Sequence, residues 1–496
     1  MRHVYTPVIG LEIHVQLATE SKLFCPCSTD YIGAEPNTNV CPVCLGLPGA
    51  LPTLNARAVE LAVRAAMGLS CEIHDGTIFH RKHYFYADLP KAYQVSQYDR
   101  PLADRGELYI SGDGGSPKRI GITRLHLEED AGKLVHSAAD GRLEGARESY
   151  ADFNRGGVPL AEIVSDPDIG SPREAREYVS ALRRLVRYLG VSDGDMDRGS
   201  MRVDANVSVV KSNADTGEIL YRGDRAEIKN MNSLRSVERA LEYEIRRQRA
   251  TLESGGTLER ETRHWNDGEG VTTSMRSKEA ALDYRCLPDP DLGPIEVSRE
   301  MLDAIRSSLP EMPWEREARF IGDYSLSEVD AAVLVETPAL ADYYERCVRS
   351  GASPLRASNW VRTEVLRVLN ERGVGIEECP VRPEELGLLV SMLDEGRAST
   401  TVAKEIFGLM VDRGLSLQEA TDRCGAHGEL SQEDLELAAR SVLDANPDVL
   451  TEIMGGRDLK GKKRKFICGL VMKETRGRAT PGAVEDVIAR FLEGME

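Results

Sequence analysis

Two residues able to ligate a metal or carry a proton, Glu12 and His14, stand two positions apart in V-I-G-L-E-I-H-V-Q-L. Apolar residues alternate there with Glu12, His14 and Gln16, the period of a half-buried strand, so the carboxylate and the imidazole share a face. Cys25-Pro-Cys27 follows, and after thirteen intervening residues comes Cys41-Pro-Val-Cys44. Two close pairs of soft ligands separated by a loop predict a tetrahedral four-cysteine zinc site, although the single residue inside the first pair is tighter than the usual spacing.

The densest acidic cluster lies in I-G-I-T-R-L-H-L-E-E-D-A-G-K, residues 120–133. Ile120, Ile122, Leu125 and Leu127 mark a strand, and Glu128, Glu129 and Asp130 close it before Gly132. Hard oxygen donors at a strand end suit Mg²⁺, which takes one or two protein carboxylates and leaves its other positions to water and nucleotide phosphates. The pattern recurs downstream. In G-S-M-R-V-D-A-N-V-S-V, Arg202, Asp204, Asn206 and Ser208 fall on one face, and in A-E-I-K-N-M-N-S so do Glu227, Lys229 and, nearly so, Met231. A core-facing row would be apolar; a row of Arg, Asp and Asn lines water, a ligand or a metal.

Four strands offering such groups predict a mostly antiparallel sheet curved into an open cradle. Its carboxylates and histidine suit a divalent ion and its Arg and Lys suit phosphate, which points to phosphoryl transfer. F-H-R-K-H-Y-F-Y-A-D-L-P-K-A-Y-Q-V-S-Q-Y, residues 79–98, interleaves positive charge with tyrosines; Lys82 and Tyr84 are candidates to hold a phosphate and stack a base, against the plainer reading of a tyrosine-rich strand edge. No standard phosphate-binding loop is present: the nearest match, starting at Gly456, ends in Lys462-Lys463 where Ser or Thr is required, and no strand precedes it.

The elements that must position these residues are punctuated clearly. Asn55 is a candidate N-cap for a helix closed by Gly68, the glycine-rich residues 111–116 read as a hairpin tip, and Ser171-Pro172 and Ser233 begin further helices. With 496 residues the chain exceeds one compact core, and no run of eighteen apolar residues or apolar leader stretch occurs, so a cytoplasmic protein without membrane attachment is expected. Ten cysteines fit reduced thiols and one metal site better than a disulfide framework. A net charge of −18 excludes a uniformly basic surface but leaves room for a local basic patch. Past Pro294 helical periodicity dominates. The expected architecture is α+β: a cradle domain over 1–294 with the zinc knuckle at 25–44, a helical domain over 295–395 and a helical tail domain over 396–496. In the tail, Lys460, Lys462, Lys463, Arg464, Lys465 and Arg476 form the strongest basic cluster, suited to a phosphate backbone.

V-I-G-L-E-I-H-V-Q-L, G-A-E-P-N-T-N-V-C-P-V-C-L-G-L-P-G-A-L-P, Y-F-Y-A-D-L-P-K-A-Y-Q-V-S-Q-Y, R-L-H-L-E-E-D-A-G-K, D-F-N-R-G-G-V-P-L-A-E-I-V-S-D-P-D-I and E-I-K-N-M-N-S together resemble the B-subunit family of aspartyl/glutamyl-tRNA amidotransferases. The likeness runs from Val8 to the C-terminus, without the inserted domain of the related archaeal E type. It implies a ligase that uses ATP to phosphorylate the side-chain carboxylate of Glu on tRNA(Gln) or Asp on tRNA(Asn). Ammonia channelled from an amidase A subunit then attacks, and a small C subunit clasps the pair. It further implies that Glu12, His14, Glu128 or Glu129, Asp204 and Glu227 are magnesium and phosphate-site residues and that Arg202 and Lys229 contact phosphate or substrate. Asn206, Lys82 and Tyr84 join them as candidate nucleotide contacts. In the family, zinc is structural, the stretch 275–292 closes the cradle, and the tail grips tRNA. Two other classes of function compete: a zinc-bearing RNA scaffold without catalysis, and a carboxylate ligase acting on a small free acid.

Overall fold

A computed structural model describes residues 2–137, 146–275, 285–424, 432–454, 461–475, 479 and 481–493. Arg276, Lys278 and Tyr284 of the 275–292 stretch, and Lys460 and Arg476 of the basic cluster, lie outside these residues. The fold is α+β and divides into two compact units, Met1–Met312 and Pro313–Glu496.

The first unit is built on a ten-stranded sheet. Its principal strands are β1 (His3–Gln16), β4 (Ala103–Ser111), β5 (Pro117–Glu129), β6 (Pro159–Ser165), β7 (Met201–Asn213), β8 (Ala226–Met231), β9 (Glu261–Asn266) and β10 (Val271–Ser274); β2 (His80–His83) and β3 (Tyr93–Ser96) form a separate hairpin. Spatial order along the sheet is β10-β9-β8-β7-β1-β6-β5-β4, and only β8 and β9 run parallel. The predicted glycine-rich turn joins β4 to β5, with the Gly112 N–H donating to the Ser116 carbonyl at 3.0 Å.

Alternation decides which face is dry. Ile9, Leu11, Ile13 and Val15 of β1 and Met201, Val203, Ala205 and Val207 of β7 are buried in one apolar cluster. Helices α1 (Ala56–Gly68), α2 (Pro172–Tyr188) and α3 (Leu234–Glu253) complete that cluster with Leu61, Ala62, Tyr178, Leu182, Val237 and Leu241. Burying such side chains contributes roughly 1.5–3 kcal/mol each, so a one-residue slip that exchanged the faces would be prohibitive. Asn55, Ser171 and Ser233 cap the three helices through their side chains. Gly68 is the last helical residue rather than a left-handed cap; that conformation falls to Ser70, at φ 53°. A Cβ on Gly68 would stand 2.6 Å from Leu189 Cδ1, so the end of α1 packs closely on the C-terminal end of α2.

Two bulges re-aim side chains. On β5, Thr123 is an extra residue between the pairs Val164–Arg124 and Ser165–Ile122, so the core parity passes from Ile120 and Ile122 to Leu125 and Leu127. On β8, Asn230 at φ 70° is the extra residue between Ile228 and Met231. The expectation that Met231 lies near the polar row is therefore corrected: the bulge turns it into the core at 2 % exposure.

A short strand, Ile295–Glu296, pairs with Gly76–Thr77, and the helix Arg299–Ser307 packs Ile305 into the sheet's core. Regular strand pairing thus persists just beyond Pro294, and the first unit extends to Met312 because these apolar residues belong to its interior. The described elements of the second unit are helices, and buried residues between Leu435 and Leu492 form an apolar cluster of their own.

Candidate functional site

The wet face opposite the helices brings the predicted residues together by register. One row crosses four strands as Arg202, His14, Glu162 and His126; the next places Asp204 beside Glu12. Asn206 is paired with Gly10 on one side and Glu227 on the other. Lys229 joins the edges, its Nζ lying 2.7 Å from Asp204 Oδ2 and 3.0 Å from Glu227 Oε1, while Thr262 Oγ1 donates to Glu227 Oε2 at 2.8 Å.

His14 Nε2 stands 4.0 Å from Glu12, 3.9 Å from Glu128 and 3.5 Å from Glu162. His126 Nε2 lies 3.4 Å from Glu128 and 3.2 Å from Glu162. Ser96 Oγ on β3 donates to Glu128 Oε1 at 2.6 Å. The hairpin carrying Lys82 and Tyr84 thus sits over the acidic end of β5. Tyr84 Oη donates to Gln94 Oε1 at 3.3 Å, and the Lys82 charge favours the ionised form of Glu128.

The acidic run separates by strand parity. Glu128 faces the wet side, whereas Glu129 turns to the opposite side, where it pairs with Lys91 and accepts the Val95 N–H at 2.9 Å. Glu129 lines a distinct cavity of about 170 Å³ beside Cys25, Cys44, Arg81 and Asp289. Asp130, buried at 3 %, accepts from Gln16 at 2.8 Å and from Arg202 at 3.0 Å. Between these groups lies a hollow of about 290 Å³ lined by His14, Asp88, Gln94, Asp130, Arg155, Arg202 and Asp204.

Charge states follow from this crowding. Burial pushes the Glu12 carboxyl above its ordinary value, reinforced by Glu162 and Asp204 and opposed by His14 and Lys229. Burial opposes protonation of His126, but Glu162 and Glu128 outweigh it and raise its pKa to about 9. His14 is raised by Glu162 and Glu128 against the same burial cost. Burial acts against ionised Glu162 as well, yet His126 and His14 hold it well below the usual carboxylate range. Carboxylates crowded on one face, one of them raised by burial and then by its acidic neighbours, fit a divalent cation. Glu12, His14 and Glu162 bring ligand atoms within 4.8 Å of one another, as do His126, Glu128 and Glu162.

Cys25, Cys27, Cys41 and Cys44 place their sulfurs within the same limit, with Cys41 and Cys44 3.9 Å apart. Four thiolates about 2.3 Å from one zinc ion would stand about 3.8 Å from each other, so the donor set fits zinc. A hydrogen bond from Cys25 and the nearby Lys22 charge help to lower the Cys44 thiol to about 5, while burial raises Cys27 to about 11. The knuckle loop reaches the wet face through Tyr31, which contacts the Gln16 amide at 3.1 Å.

Glu162, His126 and Arg155 belong to the site but were not singled out from sequence, whereas Asp130 stood in the acidic run read there. The available signals were parity with Glu128 for His126 and an isolated Glu in the apolar run P-L-A-E-I-V for Glu162.

A sheet with one helix-packed face and one face of crossed carboxylates, imidazoles and cations defines the class. The GatB/GatE catalytic domain matches residues 7–303, and a second description, GatB domain, matches residues 342–492. Relatives are similar over almost the whole chain. The B subunit of the aspartyl/glutamyl-tRNA(Asn/Gln) amidotransferase from Carboxydothermus hydrogenoformans is 48 % identical over 98 % of both chains. Its counterpart from Thermotoga maritima is 46 % identical over 99 % of both, and that from Caldanaerobacter subterraneus subsp. tengcongensis 47 % over 98 % of this chain and 99 % of its own. The chain therefore belongs to the GatB/GatE family and has the ligase role of an amidotransferase component. No helix among the described residues is long and apolar enough to cross a membrane.

Proposed function

We propose that this chain carries the amidation centre of a tRNA-dependent amidotransferase, converting Glu on tRNA(Gln) or Asp on tRNA(Asn) to the amide at the expense of ATP. The observation that carries this reading is the cross-strand lattice that sets Glu12, His14, Glu128, Glu162, Asp204 and Lys229 on one wet face, where His14 and Asp204 line the hollow. An oxygen of the substrate's side-chain carboxylate attacks the γ-phosphorus, and ADP departs. Ammonia then attacks the acyl carbon, inorganic phosphate departs, and the proton shed by nitrogen passes to a carboxylate of the wet face.

Glu12, His14, Glu128, Glu162 and Asp204 would hold magnesium, which when bound neutralises phosphate charge. Lys229, fixed between Asp204 and Glu227, presents an ammonium to the transferring phosphoryl group. Arg202, clamped by Asp130, orients an anionic group within the hollow, and Asn206, Lys82 and Tyr84 flank the nucleotide. Because the family's amidation needs nitrogen from glutamine and this chain shows no Ser-Lys amidase signature, an amidase subunit and a small clasping subunit complete the enzyme in the cytoplasm. Zinc in the four-cysteine knuckle is structural.

The tail supplies tRNA affinity. Lys462, Lys463, Arg464 and Lys465 crowd the first turn of the helix Lys462–Glu474. Cations there run against the helix dipole, so their clustering is better explained by phosphate contact than by helix stability. The test is ADP release by the purified complex with each misacylated tRNA and without tRNA. Stimulation by at least one supports the reading; no stimulation by either refutes it.

A further inference from the structure

The turn between β2 and β3 carries two large aromatic side chains in solvent: Phe85 is 90 % exposed and Tyr86 59 %. Both ends of this turn are pinned to the hollow. On one side Tyr84 is bonded to Gln94, whose amide donates to the Glu129 carbonyl at 2.8 Å and faces Glu128. On the other, Asp88 lines the hollow and its carbonyl accepts the Gly132 N–H at 2.9 Å, while the Leu89 N–H closes the turn on the Tyr86 carbonyl at 3.0 Å. Leu89 itself is buried at 6 %. The two rings therefore project from a braced loop that adjoins the polar hollow. Lys82 precedes the turn in chain order and brings positive charge to the same hairpin, whereas Arg81 is bound by Asp289 and Asp291.

Exposed aromatic rings near a lysine suit an unpaired nucleic-acid base, which offers a π-face to the rings and a phosphate to the ammonium. The substrate's chemistry also requires a base there. The reacting carboxylate hangs from the terminal ribose by only a few bonds, so when it enters the hollow the terminal base must rest at the mouth. We propose that Phe85 and Tyr86 form a stacking shelf for the unpaired terminal base of the aminoacylated RNA. This rests on the tRNA-dependent reading given above and assigns to it two positioning residues that touch the RNA end rather than the reacting atoms.

The experiment uses the assembled amidotransferase carrying Phe85→Trp, with the signal of the three native tryptophans subtracted from the unsubstituted complex. Deacylated tRNA with an intact 3′ end quenches the new fluorescence; the same tRNA lacking its terminal nucleotides does not, and neither does ATP. In parallel, Phe85→Leu combined with Tyr86→Leu raises KM for misacylated tRNA by about 10-fold or more, the scale of losing one stacked base. Its kcat and its KM for ATP stay within about two-fold, and Phe85→Tyr keeps the unsubstituted KM. Equal quenching by the truncated RNA, quenching by ATP alone, or an unaltered KM in the double variant overturns the shelf. If the unsubstituted complex shows no tRNA-stimulated ATP cleavage, the functional reading itself fails. If cleavage is normal and the double variant matches it, only the shelf fails.

Discussion

His126 is the most heavily constrained ionisable group of the wet face, and replacing it should remove a defined part of the pH dependence of stability. Its side chain is 3 % exposed, its Nε2 faces two carboxylates, and its Nδ1 has no hydrogen-bond partner in the structure. Because Glu162 and Glu128 hold its pKa at about 9, against 6.5 for an ordinary imidazole, the folded chain binds this proton more tightly than the unfolded chain does. The resulting stabilisation is complete below pH 6.5, declines as pH rises, and is gone above about 9. The difference between the two values corresponds to about 3 kcal/mol. The depressed Glu162 is the same attraction seen from the other partner and is not added. His126→Gln keeps the size of the ring and removes the titration. Hydrogen exchange of peptides covering β6, corrected for the intrinsic pH dependence of exchange, follows the opening free energy at pH 6, 7.5 and 9.5. The original protein should lose about 2–3 kcal/mol of protection across that range relative to the variant. The knuckle thiols titrate in both proteins and cancel in the comparison. Parallel profiles for the two proteins refute the assigned charge state.

Three further outcomes follow from the same geometry. Lys229→Met, which leaves Asp204 and Glu227 without their shared cation, should lower kcat for tRNA-dependent ADP release by about 100-fold or more, while zinc content stays unchanged; a loss below about five-fold removes Lys229 from the phosphoryl site. Elemental analysis should find one zinc per chain, and Cys41→Ser should lower that content and the melting temperature together; full zinc retention in the variant argues against the four-cysteine site. Lys462→Glu with Lys465→Glu should weaken tRNA binding and reduce the slope of log affinity against log salt by about one for each phosphate no longer neutralised, with KM for ATP unaltered. An unchanged salt slope places the tRNA elsewhere.

Much of the sheet was legible because alternation is a local property. The rows containing Glu12 and His14 and containing Arg202, Asp204 and Asn206 could be assigned to a wet face from β1 and β7 alone, and the helix starts at Asn55, Ser171 and Ser233 were marked by their capping chemistry. Partners across strands were not legible. That Glu162 stands opposite His14 on one side and His126 on the other is a fact of register, set by long connections that short windows do not reveal. Thr123 and Asn230 each insert one residue, and each changes the face taken by everything beyond it; this is why Met231 belongs to the core although its spacing from Lys229 suggested otherwise.

The same reasoning explains why Glu128 and Glu129, adjacent and chemically alike, occupy different environments. Beyond the Thr123 bulge, Leu125 and Leu127 define the core side of β5, and Glu129 continues their parity toward Lys91, whereas Glu128 continues that of Arg124 and His126 toward His14. An acidic run at a strand end is therefore two half-sites rather than a single cluster. Glu128 brings a ligand oxygen within 4.8 Å of ligand atoms of His126 and Glu162, but Glu129 cannot join them without breaking its hydrogen bond to the Val95 backbone and turning through the strand. On this argument Glu128→Gln and Glu129→Gln should fail differently. The first should abolish tRNA-dependent ATP cleavage, and the second should leave nucleotide cleavage largely intact while disturbing the cavity behind the strand. ADP release measured on both variants decides it, and equal loss in the two would show that parity does not divide their roles.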